Sequence, residues 1–225
     1  MSATSGARSG APHRFLIVDD HPIVRQGLRL LLESEPDFSV CGEADDAGSA
    51  LRTAAETSPN VAIVDLTLPG IGGIELIKTL RARQPDLVVL VLSMHDDTVY
   101  AERALRSGAA GYVSKHDAPD TLVRAVRRVL AGEPYLSERA ASAVIARLGS
   151  SSRKAGCSPI ERLSDRELEV FRLIGEGLGT RRVAERLHLS VKTVETHRAR
   201  IKEKLGLKSG TELVQRAVQL LTELA

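Results

Sequence analysis

The sequence predicts an α/β fold, a parallel sheet doubly wound with helices, followed by a linker helix and a small all-α domain of four helices. Continuous apolar runs at Phe15–Val18, Val61–Val64 and Leu87–Leu92 suit strands buried on both faces. Strand-like and helix-like segments alternate up to about residue 131, as repeated strand and helix units require. Beyond that point only helical periodicity remains.

Each element has a local cause. Pro22 suits the opening turn of a first helix, in which Val24, Leu28, Leu31 and Leu32 recur at helical spacing, and Glu33-Ser34-Glu35-Pro36 ends it. Further helical stretches lie near Ala47–Thr57, Ile74–Arg83, Thr98–Ser107 and Pro119–Ala131, each fenced by Gly, Pro or Asp. Gly111-Tyr112-Val113-Ser114 reads as another strand and runs into Lys115. Gly132-Glu133-Pro134 closes a first domain spanning 14–131. A linker, 132–159, carries a helix over Glu138–Leu148 and then a tether rich in Gly and Ser at 149–156. Residues 160–225 form the second domain, and residues 1–13, rich in Ser, Gly and Ala, read as a flexible leader without the apolar centre of a signal peptide.

Charge is divided unevenly. Residues 1–152 carry 16 Lys and Arg against 19 Asp and Glu, whereas residues 153–225 carry 15 against 10. A basic terminal segment points toward nucleic acid. The two cysteines, Cys41 and Cys157, offer neither a disulfide framework nor metal-ligand spacing, so a reducing cytoplasm is the expected setting. No apolar run approaches membrane-spanning length.

The strand-like runs end on chemistry. Phe15–Val18 leads into Asp19 and Asp20, Val61–Val64 into Asp65, Leu87–Leu92 into Ser93, and Gly111–Ser114 into Lys115. In a parallel sheet the carboxyl ends of the strands share one edge, where ligands bind. Three converging carboxylates repel one another unless a cation relieves them, and carboxylates with water and phosphate oxygens make a suitable shell for Mg²⁺. Asp65 would then act as nucleophile toward a phosphoryl group, with Lys115 and the Ser93 hydroxyl donating to its oxygens. The bland reading makes Asp19 and Asp20 helix-capping residues and Asp65 the start of the turn before Pro69-Gly70.

Phe15-Leu16-Ile17-Val18-Asp19-Asp20-His21, Asp65-Leu66-Thr67-Leu68-Pro69-Gly70 and Gly111-Tyr112-Val113-Ser114-Lys115 resemble the signature segments of bacterial response-regulator receiver domains, over residues 14–131. The resemblance implies a five-stranded flavodoxin/CheY-like sheet. It implies Asp65 as phospho-acceptor, and Asp19, Asp20, Asp65 and the Thr67 carbonyl as the Mg²⁺ site. Ser93 and Tyr112 take the switch positions, with Lys115 as the phosphoryl-stabilising cation. Phosphorylation would draw Ser93 inward, let the Tyr112 ring turn into the space left, and reshape the surface around Thr98–Ser107. His116 stands where many receivers carry proline.

In the second domain, Leu163-Ser164-Asp165-Arg166-Glu167 opens a helix that Gly175-Glu176-Gly177 stops. Val183, Ala184 and Leu187 mark a short second helix. On a third, Val194, His197, Ile201 and Leu205 fall on one side, leaving Lys192, Glu195, Thr196 and Ala199 opposite, with Arg198, Arg200, Lys202 and Lys204 flanking. That is the layout of a helix-turn-helix.

Residues 160–223 resemble the LuxR-type DNA-binding domain, and its pairing with a receiver is similar to the NarL/FixJ class. The resemblance implies DNA contacts from Thr180, Arg181, Lys192, Thr193, Glu195, Thr196, His197, Ala199 and Arg200. Glu195, Thr196 and Ala199 would meet base edges. Gly179-Thr180-Arg181-Arg182 lacks the capping box that the family often has there, a difference of about 1 kcal/mol in helix initiation. The last helix carries an apolar stripe, and Leu213, Val214, Ala217 and Leu220 are expected to pair two copies.

The expected function is a two-component response regulator. A partner sensor histidine kinase would phosphorylate Asp65, and the active homodimer would bind double-stranded DNA and act with RNA polymerase, away from any membrane. The chain would accept phosphoryl rather than act as an enzyme, beyond slow autodephosphorylation. Two other readings remain: a transcription factor controlled by protein contacts without phosphorylation, and an aspartyl-phosphate phosphatase. The phosphatase needs a second Asp two residues after the nucleophile, where this chain has Thr67.

Overall fold

The computed structural model describes residues 11–94, 98–117, 119–137, 140–141 and 159–224. Five parallel strands, β1 (His13–Val18), β2 (Phe38–Ala44), β3 (Val61–Val64), β4 (Val88–Ser93) and β5 (Gly111–Ser114), stand in the order β2-β1-β3-β4-β5. The intervening helices are α1 (Pro22–Glu33), α2 (Ala47–Thr57), α3 (Gly73–Arg83), α4 (Thr98–Arg106) and α5 (Pro119–Leu130).

Period-two alternation within each strand sorts the core into two layers. Phe15, Ile17, Val61, Ile63, Leu90, Leu92 and Val113 face α1 and α5, where Leu28, Leu32, Leu122, Val126 and Val129 are buried. Leu16, Val18, Ala62, Val64, Val89 and Val91 face α2, α3 and α4, whose inner surfaces are built largely from Ala47, Ala50, Ala54, Leu76, Ile77, Leu80, Ala101 and Ala104. Removing one fully buried side chain such as Leu32 would cost about 2–5 kcal/mol.

β2, for which the sequence carries no strong run, is an edge strand that is only half buried between its ends. Its register against β1 slips between Phe15 and Leu16, where Cys41 donates from Sγ to the Phe15 carbonyl at 3.3 Å.

The second domain opens with a 3₁₀ turn (Pro159–Arg162), followed by α6 (Asp165–Gly175), α7 (Thr180–Arg186), α8 (Val191–Leu205) and α9 (Gly210–Leu224). Ser164 and Glu167 form a reciprocal capping box at the start of α6. Gly179 begins α7 without a side-chain cap, in line with the missing signal there. Ser190 caps α8, which ends on Gly206 at φ 67°.

Leu168, Phe171, Ile174, Val183, Ala184, Leu187, Val194 and Ile201 build the core, in contact with the α2–α4 layer of the first domain. Leu213, Ala217 and Leu220, expected at a contact between two copies, are buried in the same core of this chain. The cause is close packing of α9 on α6: a Cβ at Gly175 would stand 2.6 Å from the Ala217 carbonyl oxygen, so only glycine admits the approach. Val214 remains 40 % exposed and Val218 45 %.

The two domains touch through charge and backbone. Asp165, at the start of α6, accepts from Arg103 of α4 at 2.8 Å and from Lys78 of α3 at 3.2 Å. Arg103 also donates to the Ile160 carbonyl at 3.2 Å, and the Gly70 N–H to the Leu187 carbonyl at 3.4 Å. Residues 1–10, the tether at 149–156, Cys157 and all of the expected linker helix except Ala140 and Ala141 lie outside the described residues. Among the described residues no helix is long and apolar enough to cross a membrane.

Candidate functional site

Strand register decides which side chains meet. Val18 of β1 pairs with Val64 of β3, so Asp19 and Asp65 leave the sheet side by side. Ser93 of β4 pairs with Ser114 of β5, which brings Lys115 to the same edge. The ladder runs one step further: Asp65 N–H donates to the Val18 carbonyl at 2.8 Å, Asp19 N–H to Ala44 at 3.1 Å and Lys115 N–H to Ser93 at 2.8 Å. These bonds hold the backbone of the crevice as firmly as the sheet itself.

Within the crevice Lys115 Nζ lies 2.5 Å from Asp19 Oδ2 and 2.7 Å from Asp65 Oδ2, all three side chains being almost fully buried. Asp65 Oδ1 accepts from the Thr67 N–H at 3.1 Å, and Asp19 Oδ1 from the His21 N–H at 2.9 Å. Arg25 donates to the Asp19 carbonyl at 2.6 Å. Asp20 sits at the rim, its Oδ1 2.6 Å from His21 Nδ1. Ligand atoms of Asp19, Asp20, His21 and Asp65 all fall within 4.8 Å of one another, a spacing that one cation would span. His21 is the member of this group that sequence reasoning did not single out. Its place directly after the acidic pair was the available signal.

Burial pushes the Asp65 carboxyl up from its ordinary range, and the Lys115 ammonium only partly reverses this. For Lys115, burial pulls the pKa down, but Asp65 and Asp19 together outweigh it and raise it. The crevice therefore holds a strongly retained cation against carboxylates that are short of solvation. Gly73 makes the β3–α3 connection possible, since a Cβ there would fall 2.3 Å from the Asp65 carbonyl oxygen. Pro69-Gly70 forms the turn above it, with Gly70 at φ 74°.

Ser93 is buried beneath Lys115 on β4, and the Tyr112 ring on β5 is already buried. The expected inward turn of Tyr112 therefore has no exposed ring to start from. The peptide before His116 is trans, as is every peptide bond among the described residues.

On the second domain, Lys192, Glu195, Thr196, Ala199 and Arg200 lie exposed along one side of α8, with Thr193 half-buried beside them. Val194 and Ile201 anchor the opposite side. Thr180 and Arg181 stand at the start of α7, Arg181 exposed and Thr180 half-buried. His197 is half-buried; burial lowers its pKa, aided by Arg166, which keeps the ring neutral near pH 7. Lys204 does not join the basic flank: its Nζ lies 2.6 Å from Glu167 Oε2, a buried carboxylate. Sequence reasoning also passed over Glu169 and over Arg103 and Asp165, which meet only because the two domains do.

Residues 15–127 match the response regulator receiver domain family, and residues 161–217 the bacterial regulatory proteins of the luxR family. The chain is 36% identical over 211 residues to the oxygen regulatory protein NreC of Staphylococcus epidermidis, spanning 92% of this chain and 97% of that protein. Among solved structures, the RcsB response regulator of Salmonella typhimurium superposes with a TM-score of 0.67 at 28% identity, over 93% of this chain and 98% of that one. RcsB bound to promoter rprA in the presence of the phosphomimetic BeF3⁻ gives a TM-score of 0.61 at 29% identity, over 91% and 97%. The sheet order, the acidic crevice and the exposed face of α8 agree with these likenesses, and the chain belongs to the two-component response regulators that join a receiver domain to a LuxR-type DNA-binding domain.

Proposed function

We propose that Asp65 is the phospho-acceptor of this regulator, that a partner sensor histidine kinase supplies the phosphoryl group, and that phosphorylation controls dimerisation and sequence-specific DNA binding. The observation that carries this reading is the Lys115 ammonium, held between Asp19 and Asp65 at the carboxyl edge of the sheet. Asp65 Oδ2 points to the ammonium and Oδ1 to the Thr67 N–H, so both oxygens have donors that stabilise the ionised, nucleophilic form. A carboxylate oxygen attacks phosphorus, the phosphorus–nitrogen bond to the kinase histidine breaks, and an acyl phosphate forms on Asp65. Lys115 then holds a phosphoryl oxygen, and Ser93 supplies a hydroxyl from the adjacent strand.

Asp19, Asp20 and Asp65 suit Mg²⁺, since their hard carboxylate oxygens lie close enough to share one ion, and the carbonyl of Thr67 would complete the set. Bound there, Mg²⁺ offsets the mutual repulsion of the carboxylates and of the incoming phosphoryl oxygens. In this reading the chain is a phosphoryl acceptor and not a catalyst of turnover.

Glu195, Thr196 and Ala199 would read base edges in the major groove, while Thr180, Arg181, Lys192, Thr193 and Arg200 contact phosphates and His197 supports the face from within. Two copies on two half-sites, in the cytoplasm and together with RNA polymerase, complete the proposal. Intact mass after incubation with acetyl phosphate and Mg²⁺ tests its centre: wild type should gain one phosphoryl group and Asp65→Asn none. Equal labelling of the two proteins would remove Asp65 from its role.

A further inference from the structure

The contact between domains brings a further buried carboxylate against the loop that follows Asp65. Glu169 of α6 has a side chain only 13 % exposed. Its Oε2 is paired with Arg166 at 2.5 Å, while its Oε1 is buried without a hydrogen-bond partner among the described residues. Glu169 lines a cavity of about 40 Å³ between the domains, together with Leu66, Thr67, Gly72, Tyr100 and Arg166. Leu66 and Thr67 are the residues directly after Asp65. Burial pushes the Glu169 carboxyl up, Arg166 pulls it back, and the charge of Asp65 pushes it up again, so the two carboxylates feel each other across the interface.

We propose that Glu169 is the group through which the DNA-binding domain senses charge at Asp65, so that phosphorylation repels this buried carboxylate and releases α6 from the receiver. The inference rests on the reading of Asp65 as phospho-acceptor and adds how its state reaches the second domain. The sign rests on Glu169 itself, a buried carboxylate with one oxygen unpaired among the described residues; the two cations that act on it are Arg166 and Arg172, and Arg172 also lies 3.3 Å from Glu176. Arg166 is already committed inside its own domain, donating to Glu169 and, at 2.8 Å, to the Leu187 carbonyl. A phosphoryl group adds one to two further negative charges in a site with little water to screen them. Asp165, pinned by Arg103 and Lys78, holds the domains together, and Glu169 sets the response. This is a positioning role, since Glu169 touches neither the phosphoryl donor nor DNA.

Small-angle scattering of the full chain, before and after acetyl phosphate with Mg²⁺, tests this, with phosphorylation read by intact mass on the same samples. Wild type should expand on phosphorylation. Glu169→Gln, which keeps the shape and removes the charge, should reach the same phosphorylation and stay compact, whereas Glu169→Asp should expand as wild type does. Equal expansion of Glu169→Gln at equal phosphorylation, or a Glu169→Gln protein already extended beforehand, would overturn the inference. Phosphorylation of wild type without expansion would overturn it while leaving the acceptor reading intact. Absence of phosphoryl on wild type would overturn both.

Discussion

Lys204 Nζ lies 2.6 Å from Glu167 Oε2, tying the last turn of α8 to the first turn of α6. The same oxygen accepts from the Ser164 N–H at 2.7 Å. One buried carboxylate thus caps one helix and positions another, and a basic residue expected to face DNA is committed to the fold instead.

Glu167→Gln should lower the stability of the second domain by about 1–3 kcal/mol, through the weakened cap and the lost charged partner of Lys204. The sign of its pH dependence follows from the Glu167 pKa. Burial acts to raise it, but Lys204 and the Ser164 N–H outweigh burial and hold it below the ordinary value of 4.5. Its contribution is therefore present above that value and lost as pH falls through the depressed one. Thermal denaturation from pH 7 downward should show the gap between wild type and Glu167→Gln closing in acid.

Lys115→Ala should abolish most phosphorylation. Without the ammonium, burial and the neighbouring Asp19 act unopposed by that cation on Asp65, whose carboxyl moves further up. Each unit of upward shift above the working pH cuts the nucleophilic form about tenfold. Labelling by acetyl phosphate over time is the measurement, and a rate matching wild type would contradict the assignment of Lys115.

Gly73→Ala should damage the crevice without touching a charged group. Its Cβ would meet the backbone of Asp65 and Leu66, atoms that cannot move aside without shifting the acceptor. A loss of about 1–3 kcal/mol in chemical denaturation is expected, together with slower phosphorylation.

Lys192→Ala should weaken DNA binding across all sequences and reduce the salt slope by about one unit, as loss of one phosphate contact requires. Glu195→Ala should instead relax base preference at one position, at a cost of about 1–3 kcal/mol for the preferred site. Fluorescence anisotropy over a range of salt and of operator variants separates the two.

Val214→Lys should reduce pairing on DNA while leaving the monomer fold intact. Val214 and Val218 lie four residues apart on the outer side of α9, whereas Leu213, Ala217 and Leu220 are internal. Sedimentation with and without DNA would reveal the loss. Unchanged assembly would move the dimer contact elsewhere.

The crevice was legible because its members sit at the ends of buried strands, and strand ends are marked by where apolar runs stop. Asp19, Asp65, Ser93 and Lys115 could be named from that rule alone. β2 escaped it, since an edge strand that is half buried and contains Gly42 and Glu43 shows neither a continuous run nor clean alternation. The stripe on α9 was read as apolar and expected to pair two copies, whereas Leu213, Ala217 and Leu220 are covered within this chain and Val214 is left exposed. Periodicity shows which side of a helix is apolar, and gives no information on whether the same chain or a second copy covers it.

Sequence alone determined the buried strands and the helices between them, the chemical types gathered at the sheet edge and the face of α8 turned to solvent, because each depends on residues within a few positions of one another. Tertiary structure decided that Lys204 serves Glu167, that Asp165 joins Arg103 across 62 positions, and that Glu169 lines one cavity with Leu66 and Thr67. Pairing of buried charges depends on distance through space and on shared exclusion of water, and neither quantity is written in the spacing of residues along the chain.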